Sequence, residues 1–263
     1  MPLPKSAEFV SGEGVPVDGE YAVFPICSQS SERKLIFIGT AFFIAPDGIF
    51  ATAKHVLMNG SAPIQPLFAI QFLEDHQYLV RSIFQINVDN EADVAIGALA
   101  PMVKSSTGES LRNKVLVLTD RHPSQGEIAA TFAYPKTAVR DGAEAQELHI
   151  NSTWHFGHVN EFHPGGRDKV LLPRACFRTS IRLLGGASGG PVTDQYGRVF
   201  GINSTGYEGD EISYVSSIVD IWRCRLINVK LADGTDRPEI TIAELAQLGL
   251  VVVNKERLTN QKS

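Results

Sequence analysis

The sequence has few cysteines, no long hydrophobic run and no excess of positive charge. Its three cysteines, Cys27, Cys176 and Cys224, are odd in number and widely spaced, without a CxxC pair, which favours free thiols over a disulfide framework. Nowhere do about 18 consecutive apolar residues occur, so we expect no membrane-spanning helix. With 24 Lys and Arg against 29 Asp and Glu, the net charge of -5 makes nucleic acid an unexpected partner.

The sequence also lacks the marks of export and of disorder. Residues 1–10 contain one lysine and no apolar core of a signal peptide, which together with free thiols predicts a cytoplasmic protein. No Ser, Gln or Pro tract and no solenoid repeat is present, so we expect the 263 residues to be almost wholly ordered. This length suffices for one large core or two cores of about 100 residues each. The sequence indicates no cofactor and leaves the oligomeric state open.

Short β-prone runs separated by turn signals dominate the chain and form two series of similar size, divided by the polar stretch 104–112. The predicted strands are 21–27, 35–44, 49–52, 67–72, 78–88 and 93–99, then 115–118, 127–133, 146–154, 170–178, 191–193, 199–204 and 212–216. Helices are predicted only at 219–225 and 241–248. This pattern indicates an all-β fold, and either two barrels or one large sandwich fits it.

The most specific feature is the segment 185–191, GGASGGP, which surrounds Ser188 with four glycines. Glycines permit positive φ and close approach, so such a turn can aim N–H groups at one point beside a hydroxyl. A nucleophilic serine needs these donors, because negative charge develops on the carbonyl oxygen that it attacks. A glycine-rich hairpin loop is the alternative interpretation of this segment alone.

A serine hydroxyl is a weak nucleophile at neutral pH, so this interpretation requires a nearby histidine and a carboxylate that holds its ring. Among the seven histidines, His55 stands out because it lies at the end of the apolar run 49–56, IFATAKHV. Asp93 is the candidate acid, because it borders an apolar run and a buried carboxylate needs a partner. Taken alone, His55 could be an edge histidine and Asp93 could cap its own turn.

These residues lie in motifs that resemble, in the same order, those of trypsin- and chymotrypsin-like serine proteases, especially the disulfide-poor branch that includes the HtrA proteases. Residues 39–44, GTAFFI, and 51–56, ATAKHV, resemble the family's strand and histidine motif. Residues 93–96, DVAI, resemble its aspartate motif, and 186–191, GASGGP, its serine motif. The resemblance implies two six-stranded antiparallel β-barrels, to which the chain adds a short C-terminal helix.

The chain then divides into four parts. They are an N-terminal extension 1–19, a first barrel 20–112, a second barrel 113–228 and a C-terminal extension 229–263 that holds the helix. Because few residues follow Asp220 in this sequence, we expect no PDZ domain of the kind found in typical HtrA proteins.

The resemblance also implies roles for individual residues. His55 is the general base, Asp93 orients its ring and Ser188 is the nucleophile, while the backbone N–H groups of Gly186 and Ser188 form an oxyanion hole. The implied function is that of a serine endopeptidase, which hydrolyses a protein or peptide substrate through an acyl-enzyme intermediate. Ala187 stands where secreted trypsins have an acid that pairs with a newly cut N-terminus, so we expect no activation by propeptide removal.

On the substrate side, the implied residues are Arg182, Ser204, Thr205 and Gly206. The segment 204–206 resembles the strand that pairs with the substrate backbone, and Gly206 leaves the specificity pocket open. Arg182 corresponds to a position near the base of that pocket, where a buried cation favours an acidic substrate residue. Alternatively, the Arg182 side chain points outward or pairs with an internal acid.

Other functions fit the sequence less well. A catalytically latent, protease-like binding or scaffolding protein would keep the barrels, and all three implied catalytic residues are present here. An α/β-hydrolase would need a helix after the serine motif and the order serine, acid, histidine, which this chain lacks. His155 and His158 with Glu161 suggest a metal site, but we expect these histidines in an exposed loop and predict no metal.

Overall fold

The computed structural model describes residues 8–74, 77–103, 107–142, 145–206, 212–230 and 235–254. The predicted extensions 1–19 and 229–263 lie partly outside the described residues. At the start, β1 (Phe9–Val10) pairs with β2 (Pro16–Val17), and α1 (Gly19–Ala22) follows. The carboxylate of Asp18 caps this helix by accepting the N–H of Glu20 at 3.0 Å.

The next elements build the first barrel and its connections. In chain order they are β3 (Val23–Gln29), β4 (Leu35–Phe43), β5 (Ile49–Thr52), α2 (Lys54–Leu57), β6 (Met58–Asn59), β7 (Ala62–Pro63), β8 (Leu67–Phe72), β9 (Tyr78–Val88) and β10 (Ala95–Leu99). Around the barrel the antiparallel order is β10–β5–β4–β3–β8–β9, and β9 pairs with β10 to close it. Phe24 contacts Phe43 and Phe50 inside, with ring centroids 4.5 and 5.5 Å away.

The second barrel is formed by the following part of the chain. Its elements are β11 (Leu118–Thr119), β12 (Ile128–Ala133), β13 (Ala138–Asp141), β14 (Gln146–His149), β15 (Thr153–His163), β16 (Cys176–Thr179), β17 (Pro191–Thr193), β18 (Val199–Gly206) and β19 (Ser213–Ser217). Six of these pair antiparallel in the order β17–β12–β15–β16–β19–β18, and β17 pairs with β18 to close the ring. Phe177 and Phe200 pack edge to face in its core, 5.0 Å apart.

The C-terminal elements pack on both barrels, since the segment after Cys224 bonds to Gln85 and Asn87 of β9 and the last strand joins the second sheet. A 3₁₀ helix (Ile218–Arg223) leads to the hairpin of β20 (Arg225–Lys230) and β21 (Asp236–Thr241), then to α3 (Ile242–Gln247) and β22 (Val253–Asn254). Thr241 and Glu244 form a capping box at the start of α3. Strand β22 pairs in parallel with β11, which extends the second sheet. Within the described ranges, no helix has the length and hydrophobicity to cross a bilayer.

Contacts of Tyr134 fix the position of one barrel relative to the other. Tyr134, which follows β12, is fully buried and donates its hydroxyl to the carbonyl oxygen of Val23 in β3 at 2.8 Å. Its ring also stacks on Phe72 of the first barrel, with centroids 6.2 Å apart. The side chain of Tyr134 therefore fixes one barrel against the other directly behind the segment that carries Ser188.

The prediction of two six-stranded antiparallel barrels with a short C-terminal helix is confirmed. Three predicted strands are wrong in detail. Of the predicted run 115–118, only Leu118 lies in a strand, β11. The run 170–178 contributes only β16 at its end, because the Asp168 carboxylate accepts the N–H groups of Val170 and Leu171 and holds them in a turn. The run 146–154 is divided between β14 and β15, with a break at 150–152.

Candidate active site

His55 and Asp93 are brought together by neighbouring strands of the first barrel. His55 lies in α2, directly after β5, and Asp93 lies just before β10, which pairs with β5. The ring Nδ1 of His55 is 2.9 Å from Asp93 Oδ2, and the backbone N–H of His55 donates to Asp93 Oδ1 at 3.1 Å. The carboxylate thus holds both the ring and the backbone of the histidine.

The electrostatics of His55 follow from this pair. Burial lowers its pKa, but the hydrogen bond and the negative charge of Asp93 outweigh burial, so the pKa is raised above its ordinary value. Since a carboxylate only accepts, Nδ1 carries the proton, and Nε2 of the neutral ring has a free lone pair. The His55 side chain is 49% exposed, whereas that of Asp93 is 13% exposed. Such a ring can accept a proton from a group in the cleft.

Ser204 connects this pair to Ser188. The hydroxyl of Ser204 donates to Asp93 Oδ2, and its carbonyl oxygen accepts the Ser188 hydroxyl at 3.4 Å. Among the hydrogen bonds of the described residues, none joins Ser188 to His55. The structure therefore brings all three predicted catalytic residues to one place, with the Ser188 hydroxyl turned towards Ser204. The motif predicted a backbone role for Ser204, and its side-chain contact with Asp93 was missed.

The turn that carries Ser188 requires glycine at two positions. Gly186 has φ +93° and Gly189 has φ +85°, a region that side chains disfavour. A Cβ atom at Gly186 would lie 2.5 Å from the ring of Phe37, and one at Gly189 would lie 2.1 Å from Thr52 Oγ1. The glycines of the serine motif are thus explained by backbone conformation and by close packing on the first barrel.

The N–H groups of this turn fall into two sets. Ala187 donates to the carbonyl oxygen of Leu184 at 3.0 Å, Gly189 to Asn203 at 2.8 Å and Gly190 to Ala187 at 3.1 Å. The N–H groups of Gly186 and Ser188 have no hydrogen-bond partner among the described residues. These two are the donors predicted for the oxyanion hole, and the fold leaves both available to a ligand.

Two buried polar residues that the sequence did not single out support the turn. Thr40 of β4 donates its hydroxyl to the Gly186 carbonyl oxygen at 2.8 Å and its N–H to the Ser188 carbonyl oxygen at 2.9 Å. Asn203 of β18 donates its side-chain amide to Ala187 at 3.1 Å and to the Thr131 hydroxyl at 2.7 Å. An asparagine inside the apolar run 199–204 is a signal that could have been read as a buried group with partners.

The contacts of Asp89 with the backbone and with Arg223 form a clamp that holds the loop before Asp93. One oxygen of Asp89 accepts the N–H groups of Glu91 and Ala92 at 2.9 and 2.7 Å, and the other accepts Arg223 Nε and Nη2 at 3.1 and 3.0 Å. Burial raises the pKa of Asp89, but these backbone hydrogen bonds and the Arg223 guanidinium together lower it below its ordinary value. Arg223 comes from the 3₁₀ helix after the second barrel, so this pair also ties the barrels together.

A cleft of about 1010 Å³ opens beside the His55–Asp93 pair. On its far rim, Val170 and Leu171 are 84% and 60% exposed. The residues around the cleft come from both barrels: Lys54, His55, Met58, Gly60, Asn90, Glu91, Ala92, Asp93, Lys169, Val170, Leu171, Pro173, Arg174, Ser204 and Thr205. This space can hold an extended chain that runs past His55.

The predicted substrate residues differ in burial and in their position relative to the cleft. Ser204 is buried and Thr205 is half-buried, and both line the cleft. Gly206 is exposed, but a Cβ there would lie 3.1 Å from the Cβ of Leu183, so the space beside it is narrow rather than open. Arg182 is exposed and makes no ion pair among the described residues. Of the alternatives left open for Arg182, its exposure matches the one in which the side chain points outward, and the argument for an acidic substrate residue loses its basis.

The candidate metal ligands do not form a site. His155 and His158 lie in strand β15, so their expected position in an exposed loop is wrong. In the part of the chain that the structure describes, no three His, Cys, Asp or Glu side chains are grouped so that they could hold a metal ion. Cys27, Cys176 and Cys224 are free and buried, and burial raises the pKa of the Cys27 and Cys224 thiols to about 12.

Comparisons with known proteins agree with this arrangement. The family model of the trypsin-like peptidase domain matches residues 39–202. No curated protein sequence matches the chain. Among solved structures, the active form of the Rv3671c protease from M. tuberculosis is similar at 18% identity and TM-score 0.54, over 84% of this chain and 90% of that one.

Two further solved structures share the fold. The HtrA-type protease AlgW, solved with a decapeptide, is 17% identical with TM-score 0.54, over 76% of this chain and 62% of that one. Deg5 is 18% identical with TM-score 0.53, over 76% of this chain and 85% of that one.

Proposed function

The chain belongs to the trypsin-like peptidase domain family, and we propose that it is a serine endopeptidase with Ser188 as nucleophile, His55 as general base and Asp93 as the group that orients His55. The observation that carries this proposal is the chain of contacts from His55 through Asp93 and Ser204 to the Ser188 hydroxyl. Its substrate is a protein or peptide that lies extended in the cleft beside His55.

The first half of the reaction forms an acyl-enzyme. The Ser188 hydroxyl rotates away from the Ser204 carbonyl oxygen, gives its proton to His55 Nε2 and attacks the substrate carbonyl carbon. The negative charge on the carbonyl oxygen is stabilised by the free N–H groups of Gly186 and Ser188. The imidazolium of His55 then protonates the leaving amine, and the peptide C–N bond breaks.

The second half hydrolyses the ester. His55 removes a proton from a water molecule, which attacks the acyl carbon, and the same two N–H groups stabilise the oxyanion. The proton then returns from His55 to Ser188 as the C–O bond to the enzyme breaks. Asp93 remains ionised throughout, since its part is to hold the ring and stabilise its charged form.

A second candidate function is a catalytically latent protein that binds peptides through the same cleft. One observation favours it: the Ser188 hydroxyl donates to Ser204 and not to His55. In ligand-free active sites, however, such hydrogen bonds are often long and tighten only with substrate present. The contact between His55 and Asp93 and the free N–H groups of Gly186 and Ser188 support the active enzyme, which we favour.

Hydrolysis tests the proposal directly. Purified protein is incubated with a quenched fluorescent peptide library, beside Ser188→Ala and His55→Ala variants that show wild-type thermal unfolding. We expect cleavage by the wild type alone and, with an activated ester, an initial burst of product that equals the enzyme concentration. Binding of peptides without cleavage, equal in all three proteins, would support the latent protein instead.

A further inference from the structure

Close to Ser188, strand β18 loses its partner strand on one of its two edges. Strand β17 pairs with β18 from Thr193 to Pro191, where Pro191 faces Ile202, and the chain then leaves the sheet to form the Ser188 turn. On its other edge β18 continues to pair with β19 as far as Gly206. Among the residues that the structure describes, the segment 204–206 therefore has no partner strand on one edge, to which an extended peptide can add as a strand.

The position of this edge determines where the side chain of the substrate residue that contributes the attacked carbonyl group lies. A peptide paired with 204–206 brings one carbonyl carbon to the Ser188 hydroxyl and its oxygen to the N–H groups of Gly186 and Ser188. The side chain of that residue, termed P1, then points between β18 and the segment that leads into the Ser188 turn. The residues that face each other across this gap are Gly206 and Leu183.

Leu183 closes the gap. A Cβ built at Gly206 would lie 3.1 Å from the Cβ, 3.5 Å from the carbonyl oxygen and 3.8 Å from the Cα of Leu183. The Leu183 side chain is half-buried and packs on the core of the second barrel, which fixes its position. With the two walls this close, even the absence of a side chain at Gly206 leaves little width between them.

The space behind Leu183 is also filled. Ile181 and Ser213 are fully buried, and the Ser213 hydroxyl bonds to that of Thr179 at 2.7 Å. Thr179 is itself fully buried, and its Oγ1 accepts the Ile181 N–H at 3.4 Å. Arg182, which precedes Leu183, is exposed and does not extend the gap inward. As far as the described residues bound it, the gap is therefore shallow as well as narrow.

From these contacts we infer that Leu183 limits the P1 residue of the substrate to glycine or alanine. The inference rests on the proposed peptidase function and adds the class of bond that is cut. A carbon atom beside Gly206 already lies 3.1 Å from the Cβ of Leu183, so a methyl group enters with a small shift of Leu183, whereas a leucine, phenylalanine or lysine side chain must displace Leu183 from the barrel core. Leu183 is thus a specificity-determining residue of the site.

Peptidyl phosphonates that differ only in the P1 residue test this inference, since they modify the nucleophile of active serine hydrolases irreversibly. Rates of modification at Ser188 are measured by mass spectrometry for probes with P1 Ala, Leu and Phe. The proteins compared are the wild type, Leu183→Ala, the milder Leu183→Val and the matched control Leu248→Ala. Leu248 is exposed, in the C-terminal part of the chain outside the cleft. Thermal unfolding identifies the Leu183 variants that remain folded.

We expect the wild type and Leu248→Ala to react with the Ala probe at least tenfold faster than with the Leu or Phe probe. In Leu183→Ala this ratio falls at least tenfold, and in Leu183→Val it falls by less. A wild type that prefers Leu or Phe, or a ratio unchanged in a folded Leu183 variant, overturns the inference and leaves the peptidase proposal intact. If a small fluorophosphonate without any P1 group also fails to modify Ser188 in folded protein, the peptidase proposal itself is wrong and the inference fails with it.

Discussion

Nδ1 of His55 lies 2.9 Å from Oδ2 of Asp93. The same carboxylate oxygen accepts the hydroxyl of Ser204, whose carbonyl oxygen accepts the hydroxyl of Ser188. The Asp93 carboxylate therefore controls the tautomer of His55 and is connected to Ser188 through Ser204. Asp93 is the residue on which the geometry of the site depends most.

Replacing Asp93 by asparagine removes the negative charge of the side chain and keeps its shape. The amide can present its N–H₂ group to Nδ1, which favours the wrong tautomer, so we expect kcat to fall about 10³- to 10⁴-fold. Steady-state cleavage of a fluorescent peptide measures this effect. Asp47→Asn is the control, because Asp47 is exposed and pairs with Arg112 outside the cleft. A loss below tenfold in Asp93→Asn would contradict the assigned role.

The pH dependence of kcat/KM follows from the raised pKa of His55. A general base works in its neutral form, so activity is lost as the pH falls through this pKa. Because Asp93 outweighs burial, the midpoint of the acidic limb should lie above the ordinary histidine value of about 6.5. In Asp93→Asn the residual activity should show a lower midpoint. An acidic limb at or below pH 6.5 in the wild type would show that Asp93 does not stabilise the charged ring.

Thr40→Val tests the support of the oxyanion turn from the first barrel. The substitution keeps the shape but leaves the Gly186 carbonyl oxygen without its buried donor, which should cost about 1–3 kcal/mol in the free energy of unfolding. We expect kcat to fall about tenfold, because the peptide group between Gly186 and Ala187 loses one of its two hydrogen bonds and the oxyanion turn is held less firmly. Thr40→Ser keeps the hydroxyl and should retain most of kcat in the same denaturation and cleavage assays.

Gly189→Ala tests whether the glycines of the turn are required by packing. At φ +85°, with Thr52 Oγ1 and the Thr40 carbonyl oxygen 2.1 and 2.2 Å from the new Cβ, we expect a loss of about 3 kcal/mol or more in the free energy of unfolding. The matched control is Gly185→Ala, where no atom lies within 4 Å of the Cβ position. Equal unfolding midpoints in urea for the two variants would show that the turn can adapt.

Arg223→Ala tests the clamp on the loop before Asp93. It leaves two buried carboxylates, Asp89 and Asp220, without this cation, so we expect a loss of about 2–3 kcal/mol in the free energy of unfolding at pH 7. A lowered pKa contributes stability that is lost as the pH falls, so the difference from the wild type should shrink below about pH 4.

Arg225→Ala is the matched control for this clamp. Arg225 pairs with Glu239 in a bridge whose side chains are 54% and 50% exposed, and its removal should cost about 0–1 kcal/mol. If Arg223→Ala and Arg225→Ala are equally stable, the Asp89–Arg223 pair does not hold the loop.

The candidate triad could be predicted because its signals are local. His55, Asp93 and Ser188 each lie in a short motif with an apolar strand beside it, and the order of the motifs along the chain matches the order of the barrels. The glycines around Ser188 likewise indicate a turn with unusual φ values, which Gly186 and Gly189 have. These features depend on a few neighbouring residues, which a sequence displays directly.

The supporting contacts could not be predicted, because they join distant parts of the chain. Thr40 reaches Gly186 and Arg223 reaches Asp89 only after both barrels have closed. Leu183 was not singled out, since its effect depends on the distance between two walls that no motif specifies. The apolar run at 170–172 suggested a strand, but one side chain, that of Asp168, was enough to turn the backbone away.

The most direct test of the proposed mechanism is intact-protein mass spectrometry after treatment with a fluorophosphonate, beside Ser188→Ala and His55→Ala. The mechanism predicts one adduct per chain, mapped to Ser188 and absent from both variants, since the serine reacts only when its base and oxyanion donors are assembled. No adduct on folded wild-type protein, or an adduct that persists in Ser188→Ala, would contradict it.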